Sequence, residues 1–103
     1  PYVQALERVG MAVRVRTVDP AQYQTRMDAF DYDMTVDSMG QSLSPGNEQR
    51  DFWGSTAAEQ KGSMNFAGVK NPAIDSLIES VIAAPDRAAL VARVRALDRA
   101  LQW

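Results

Sequence analysis

The sequence predicts an α/β fold: a small βαβ unit with parallel strands, followed by a C-terminal helical hairpin. Three observations lead there. Met11, Val13, Val15 and Thr17 alternate with Ala12, Arg14, Arg16 and Val18, the period of a strand with one buried face. Tyr32, Met34 and Val36 alternate in the same way with Asp33, Thr35 and Asp37. Between the two lies a helical stripe, and strand, helix, strand with short joints implies a right-handed crossover between parallel strands.

Taken in order, the chain opens with Tyr2, Leu6 and Val9 at i, i+4 and i+7, one apolar face of a short helix that Gly10 stops. After the first strand, Asp19-Pro20 is a strong helix start. Asp caps free amides, Pro is tolerated at the first helical position, and Gln22 sits where a capping box places it. Tyr23, Met27 and Phe30 form the inward stripe of that helix. The second strand runs into Ser38 to Pro45, SMGQSLSP, where periodicity vanishes. Pro45 to Trp53 reads as a short helix anchored by Phe52 and Trp53, and 54–68 as irregular chain.

Asn71-Pro72 starts the next helix by the same logic as Asp19-Pro20, and Ile74, Leu77, Ile78, Val81 and Ile82 give it a clean apolar face. Pro85 breaks the run. Asp86 then caps a last helix carrying Leu90, Val94, Leu97 and Leu101. The two helices are expected to pack as an antiparallel hairpin on the sheet. Two strands alone leave both outer edges unpaired. The chain also starts at Pro1 and ends on Trp103 within its last helix. The expectation is therefore a single partial domain over 1–103, with further strands supplied by the rest of a parent protein or by a partner chain.

Composition narrows the function. The 103 residues are 46% hydrophobic and 23% charged, ordinary for a globular domain, and no run approaches the ~18 apolar residues of a membrane span. A formal net charge of −2 gives no electrostatic footprint for nucleic acid, and the arginines at 14, 16, 93, 95 and 99 read as solvated faces. Neither cysteine nor histidine occurs, which removes disulfides, zinc fingers and Cys or His catalysis. Asp28, Asp31, Asp33, Asp37, Glu48 and Asp51 are numerous enough for acid–base work or a hard cation. However, DYDMTVD lacks the central Gly and distal Glu of a calcium loop. Ser38, Ser42, Ser44 and Ser55 have no histidine to activate them, and no phosphate-binding or nucleophile-elbow motif is present. The sequence thus argues against an enzyme, a cofactor or a metal site.

What remains is a loop leaving the carboxyl end of a predicted strand, where open α/β sheets collect ligands. Gln41, Ser42, Asn47 and Asn65 offer neutral hydrogen-bonding groups, Arg50 a charged fork and Trp53 a stacking face. That set suits a polar ligand with amides or carboxylates. Structural roles compete for each: loop solvation or helix capping for the amides and Ser42, core anchoring for Trp53.

The order of several short motifs then resembles a known family. Leu6-Glu7-Arg8-Val9-Gly10-Met11, Phe30-Asp31-Tyr32-Asp33-Met34, Asn65 with Asn71-Pro72-Ala73-Ile74-Asp75, and Arg87 with Leu97-Asp98-Arg99-Ala100-Leu101 follow one another across essentially the whole chain. Together they resemble the C-terminal lobe of family 5 extracellular solute-binding proteins, the periplasmic peptide receptors of bacterial ABC importers. PGNEQRDFWGS looks closest to a subgroup associated with oligopeptide and microcin-type peptide uptake. The resemblance implies part of a periplasmic binding protein type II lobe, a periplasmic location, a peptide or peptide-like solute, and delivery to membrane permease subunits by a receptor that closes over its ligand. It implies no nucleic acid partner, and an isolated fragment with open edges is a candidate homodimer. In many peptide receptors of this family an Asp four residues before the loop proline pairs with the ligand's amino terminus. Gln41 stands there, counted from Pro45. It can accept from an ammonium group but supplies no countercharge. The competing reading from another class is a protein–protein interaction domain whose loop docks a partner.

Overall fold

The computed structural model describes residues 1–102, so the predicted continuation of the last helix through Trp103 lies outside the described residues. Six helices follow in order among them: α1 Tyr2–Arg8, α2 Pro20–Asp28, α3 Glu48–Trp53, α4 Ser55–Ala58, α5 Pro72–Ile82 and α6 Arg87–Leu101. The helix starts obey their sequence signals. Asp19 accepts from the Gln22 amide at 2.9 Å, Asn71 from Ala73 at 2.9 Å and Asp86 from Ala89 at 2.8 Å.

The ends of α1 and α2 share one geometry. Gly10 N–H donates to the Glu7 carbonyl and Met11 N–H to that of Leu6; Phe30 and Asp31 do the same to Met27 and Arg26. Both helices thus close in a Schellman turn, whose pivot residue takes positive φ. Gly10 at +84° does so freely. Phe30 at +54° carries a Cβ there, at a cost of about 1–2 kcal/mol. The half-buried Phe30 therefore ends its helix instead of extending the inward stripe.

The predicted βαβ unit does not form. Among the described residues there is no strand, and 11–18 and 32–37 carry no ladder hydrogen bonds. The fold is helical, so the parallel sheet, and with it the α/β type II lobe implied by the resemblance, is overturned for this chain. The physical reason lies in burial. Period-two alternation stabilises a strand only when one face is covered, yet Val15, Met34 and Val36 remain 69%, 65% and 87% exposed. The second segment is tethered by side chains: Tyr2 Oη to Met34 Sδ at 3.7 Å, Thr35 Oγ1 to Met27 Sδ at 3.4 Å, and Tyr32 Oη to the Phe66 carbonyl at 2.9 Å.

The predicted helical hairpin does form. Ile74, Ile78 and Val81 of α5 bury against Leu97 of α6, with Trp53, Val69, Leu77, Leu90, Val94 and Leu101 packed around them. With no sheet beneath it, the hairpin packs against α3 instead. Burying each of these aliphatic side chains is worth about 2 kcal/mol.

Residues 54–68, predicted as irregular, include the short helix α4 and are organised by Asn65. It is 0% exposed; its Nδ2 donates to the carbonyls of Gly54 at 3.1 Å and Val69 at 2.8 Å, and its Oδ1 accepts from Val69 N–H at 2.9 Å.

The corner between α3 and α4 depends on Gly54. Its φ of −73° is open to any residue, but a Cβ there would stand 2.5 Å from the Arg50 carbonyl oxygen. Gly54→Ala should therefore cost about 1–3 kcal/mol, as overpacking does. Urea denaturation monitored by circular dichroism measures this, and an unchanged midpoint would show that the corner relaxes freely.

Candidate functional site

Three of the six residues predicted for binding converge. Gln41, Ser42 and Trp53 line a groove of about 390 Å³ between the 41–45 loop, α3 and α6. Leu43 and Pro45 close one side; Val94, Leu97 and Leu101 of α6 form an apolar floor. Trp53 is half-buried, held edge-on to Phe52 at 6.5 Å between ring centres. It packs on the core and also lines the groove.

The loop is strapped down at two points. Arg87, in the first turn of α6, donates from Nη1 to the Leu43 carbonyl at 2.5 Å. Gln49 donates from Nε2 to Gln41 Oε1 at 3.0 Å and to Glu48 Oε1 at 3.3 Å. Within the loop, Ser42 Oγ accepts from Ser44 N–H at 3.1 Å, which leaves its hydroxyl proton free to rotate toward the groove. The Glu48 carboxyl is held below its ordinary range, chiefly by the backbone N–H of Gly46, which donates to it at 2.8 Å.

The other three residues face different tasks. Arg50 grips Glu79 through two 2.6 Å hydrogen bonds and donates to Asn47 Oδ1 at 2.9 Å, outside the groove. Asn47 stands at the N-cap of α3 but makes no capping bond. Asn65 has each side-chain polar atom occupied by backbone.

Two polar groove residues were not among those predicted for binding. Gln49, 5% exposed, and Asp98, which accepts from Gln102 Nε2 at 3.0 Å, both line the groove. A signal existed for each: Gln49 lies four residues before Trp53 on one helix face, and Asp98 stands between Val94 and Leu101 on another.

The groove thus combines an apolar floor, two amides, a hydroxyl and one carboxylate. It can accommodate a small apolar side chain and hydrogen-bond a polar backbone beside it. A larger hollow of about 880 Å³ lies between α1, α2 and the segments 11–14 and 33–36. Its walls are mainly apolar, and it holds none of the residues predicted for binding. Among the described residues no group of three or more acidic side chains converges on a metal-sized site.

No protein-family model matches the chain. Curated relatives do. An uncharacterized protein, y4wM, of Sinorhizobium fredii is 60% identical over 98% of this chain, and a probable peptide-binding protein, YejA, of Agrobacterium fabrum is 54% identical over 98%. A second Agrobacterium fabrum protein, named peptidoglycan-binding protein YepA, is 46% identical over 97%. The chain is similar to one segment of bacterial proteins named as binding proteins. It spans only 15–16% of the length of these relatives. The resemblance drawn from the short motifs agrees with the binding-protein names, and those names denote binding proteins, not enzymes.

Acid should loosen the framework behind the groove. Ser55 donates to Asp75 through its hydroxyl at 2.6 Å and its amide at 2.9 Å, holding that carboxyl below its ordinary 3.8. The hydrogen bonds from Arg50 hold Glu79 below 4.5. Both folded values are depressed, so the stability they confer is complete above the ordinary values and lost as pH falls through the lowered ones. Asp75→Asn keeps an acceptor for Ser55 but removes one titration. The dependence of unfolding free energy on pH, measured by urea denaturation below about pH 5, should become shallower in that variant. An unchanged slope would assign the acid limb elsewhere.

Proposed function

We propose that this chain supplies part of one wall of the binding cleft in the solute-binding component of a peptide ABC importer. The observation that carries the reading is the convergence of Gln41, Ser42 and Trp53 on a single groove over an apolar floor. Support comes from the 54% identity to a protein named as a probable peptide-binding protein. A relative named for peptidoglycan binding keeps the solute within peptide-bearing molecules. On this reading the receptor works in the periplasm, closes over its solute, and passes it to the permease without chemistry.

Within the groove, Gln41 and Ser42 bond the peptide backbone, and Trp53 and the α6 floor take an apolar side chain. Asn47, Arg50 and Asn65 act behind the groove as its framework. Arg50 is committed to Glu79, so ligand binding through it would first break two charge-assisted bonds.

Native mass spectrometry of the protein purified from its host tests this. A co-purifying peptide mass, lost in a Gln41→Ala and Trp53→Ala double variant that stays folded, is the expected result; an empty protein would sink the proposal. The chain by itself offers one wall only, so short peptides should bind it in the millimolar range. Calorimetric titration giving micromolar affinity would contradict the shared-cleft arrangement.

One observation favours a second reading. Tyr2, Met11, Val15, Met34 and Val36 are all large, apolar and exposed, the surface an interaction domain presents. Sedimentation of the chain separates the possibilities: a stable homodimer, or a stoichiometric protein partner retained from the host, would favour docking.

A further inference from the structure

The groove holds a chain of polar groups whose direction is set from one end. Glu48 Oε1 accepts from the Gly46 amide at 2.8 Å and from Gln49 Nε2 at 3.3 Å. An ionised carboxylate only accepts, so Gln49 must turn its amino group, not its carbonyl, toward Glu48. The same Nε2 reaches Gln41 Oε1 at 3.0 Å, so Gln41 must present its oxygen inward. Reversing Gln49 would set its carbonyl against the carboxylate. Gln49 is buried and leaves little room for a water to rescue the reversed arrangement.

The consequence falls on Gln41 Nε2. Its two N–H donors turn away from Gln49, and among the described residues no group accepts from them. Gln41 is itself exposed on the groove wall. One lone pair of its oxygen is thereby occupied, and what the side chain has left to offer is tilted toward donation.

We propose that Gln41, polarised by Glu48 through Gln49, recognises an oxygen acceptor of the ligand, such as the carbonyl of an acylated amino end, and does not receive an ammonium group. Gln49 is a positioning residue and Gln41 the specificity residue. This rests on the reading of the groove as a ligand site. Asp98, the carboxylate on the opposite, α6 wall, attracts cations to the groove as a whole, so the test must read Gln41 itself.

The experiment is nuclear magnetic resonance titration of the chain with two probes. N-acetyl-leucinamide carries carbonyls and no charge; isoamylamine carries an ammonium group and no oxygen. The acetylated probe should shift the Gln41 side-chain amide protons. Its affinity should drop about fivefold in Gln41→Met, the worth of one ordinary hydrogen bond. Glu48→Gln, which lets the relay reverse, should weaken the acetylated probe similarly, whereas isoamylamine should bind both variants as it binds the parent. A merely structural role for these residues would weaken both probes together.

The inference is overturned if isoamylamine weakens in Gln41→Met, or if the acetylated probe binds the groove with Gln41 unaffected; the groove reading survives either result. If neither probe perturbs the groove of the folded chain, the groove reading falls and this inference with it. Nuclear Overhauser contacts between the Gln49 amide protons and the Gln41 side chain report the relay independently of any ligand, and their absence would also overturn it.

Discussion

The apolar seam between α5 and α6 is the constraint on which the rest depends. Ile74, Ile78 and Val81 meet Leu97 with little surface left to water, and α3, α4 and the 41–45 loop are fastened to that hairpin. Trp53 packs against it from α3. Arg50 reaches Glu79 and Ser55 reaches Asp75, both on α5. Arg87 of α6 holds the loop carbonyl of Leu43. Loss of the seam would release α3 and the groove together, because neither α3 nor α4 is long enough to persist as an isolated helix.

The polar contacts around the seam differ in what they contribute. The Arg50–Glu79, Lys70–Glu59 and Arg26–Asp31 pairs are largely exposed, so solvent screening leaves each a modest effect, and their value lies in direction. Asn65 is of another kind. Fully buried and neutral, it satisfies two carbonyls and one amide of the surrounding loop, groups that would be costly to leave unpaired. The irregular chain after α4 is thereby pinned to the backbone of Gly54 and Val69.

The groove shows how neighbours decide what a polar side chain can do. Gln41 lacks the charge that the resemblance associates with its position, and Arg50 carries a charge already spent on Glu79. Gln41 remains open to solvent and Arg50 does not remain open to a ligand without cost. Inventories of donors and acceptors along a loop count both residues alike. The pairing on the far side of each separates them.

Legible in the sequence were the local features: the Asp19, Asn71 and Asp86 caps, the Gly10 stop, the apolar face from Ile74 to Ile82 and the hairpin it forms with α6. Each is complete within a few residues, because a cap or an i, i+4 stripe carries its own partners. The similarity to binding proteins was legible too, from motifs strung in order. The tertiary structure decided the rest. Met11 to Val18 and Tyr32 to Val36 alternate as strands do, but a strand is stabilised by a neighbour and a covered face, and neither is present among the described residues. In the same way, only folding decided that Asn65 is buried, that Gln49 and Asp98 join the groove, and that Gln41 and Trp53 meet there. Those facts depend on contacts between elements far apart in the chain, which local spacing does not encode.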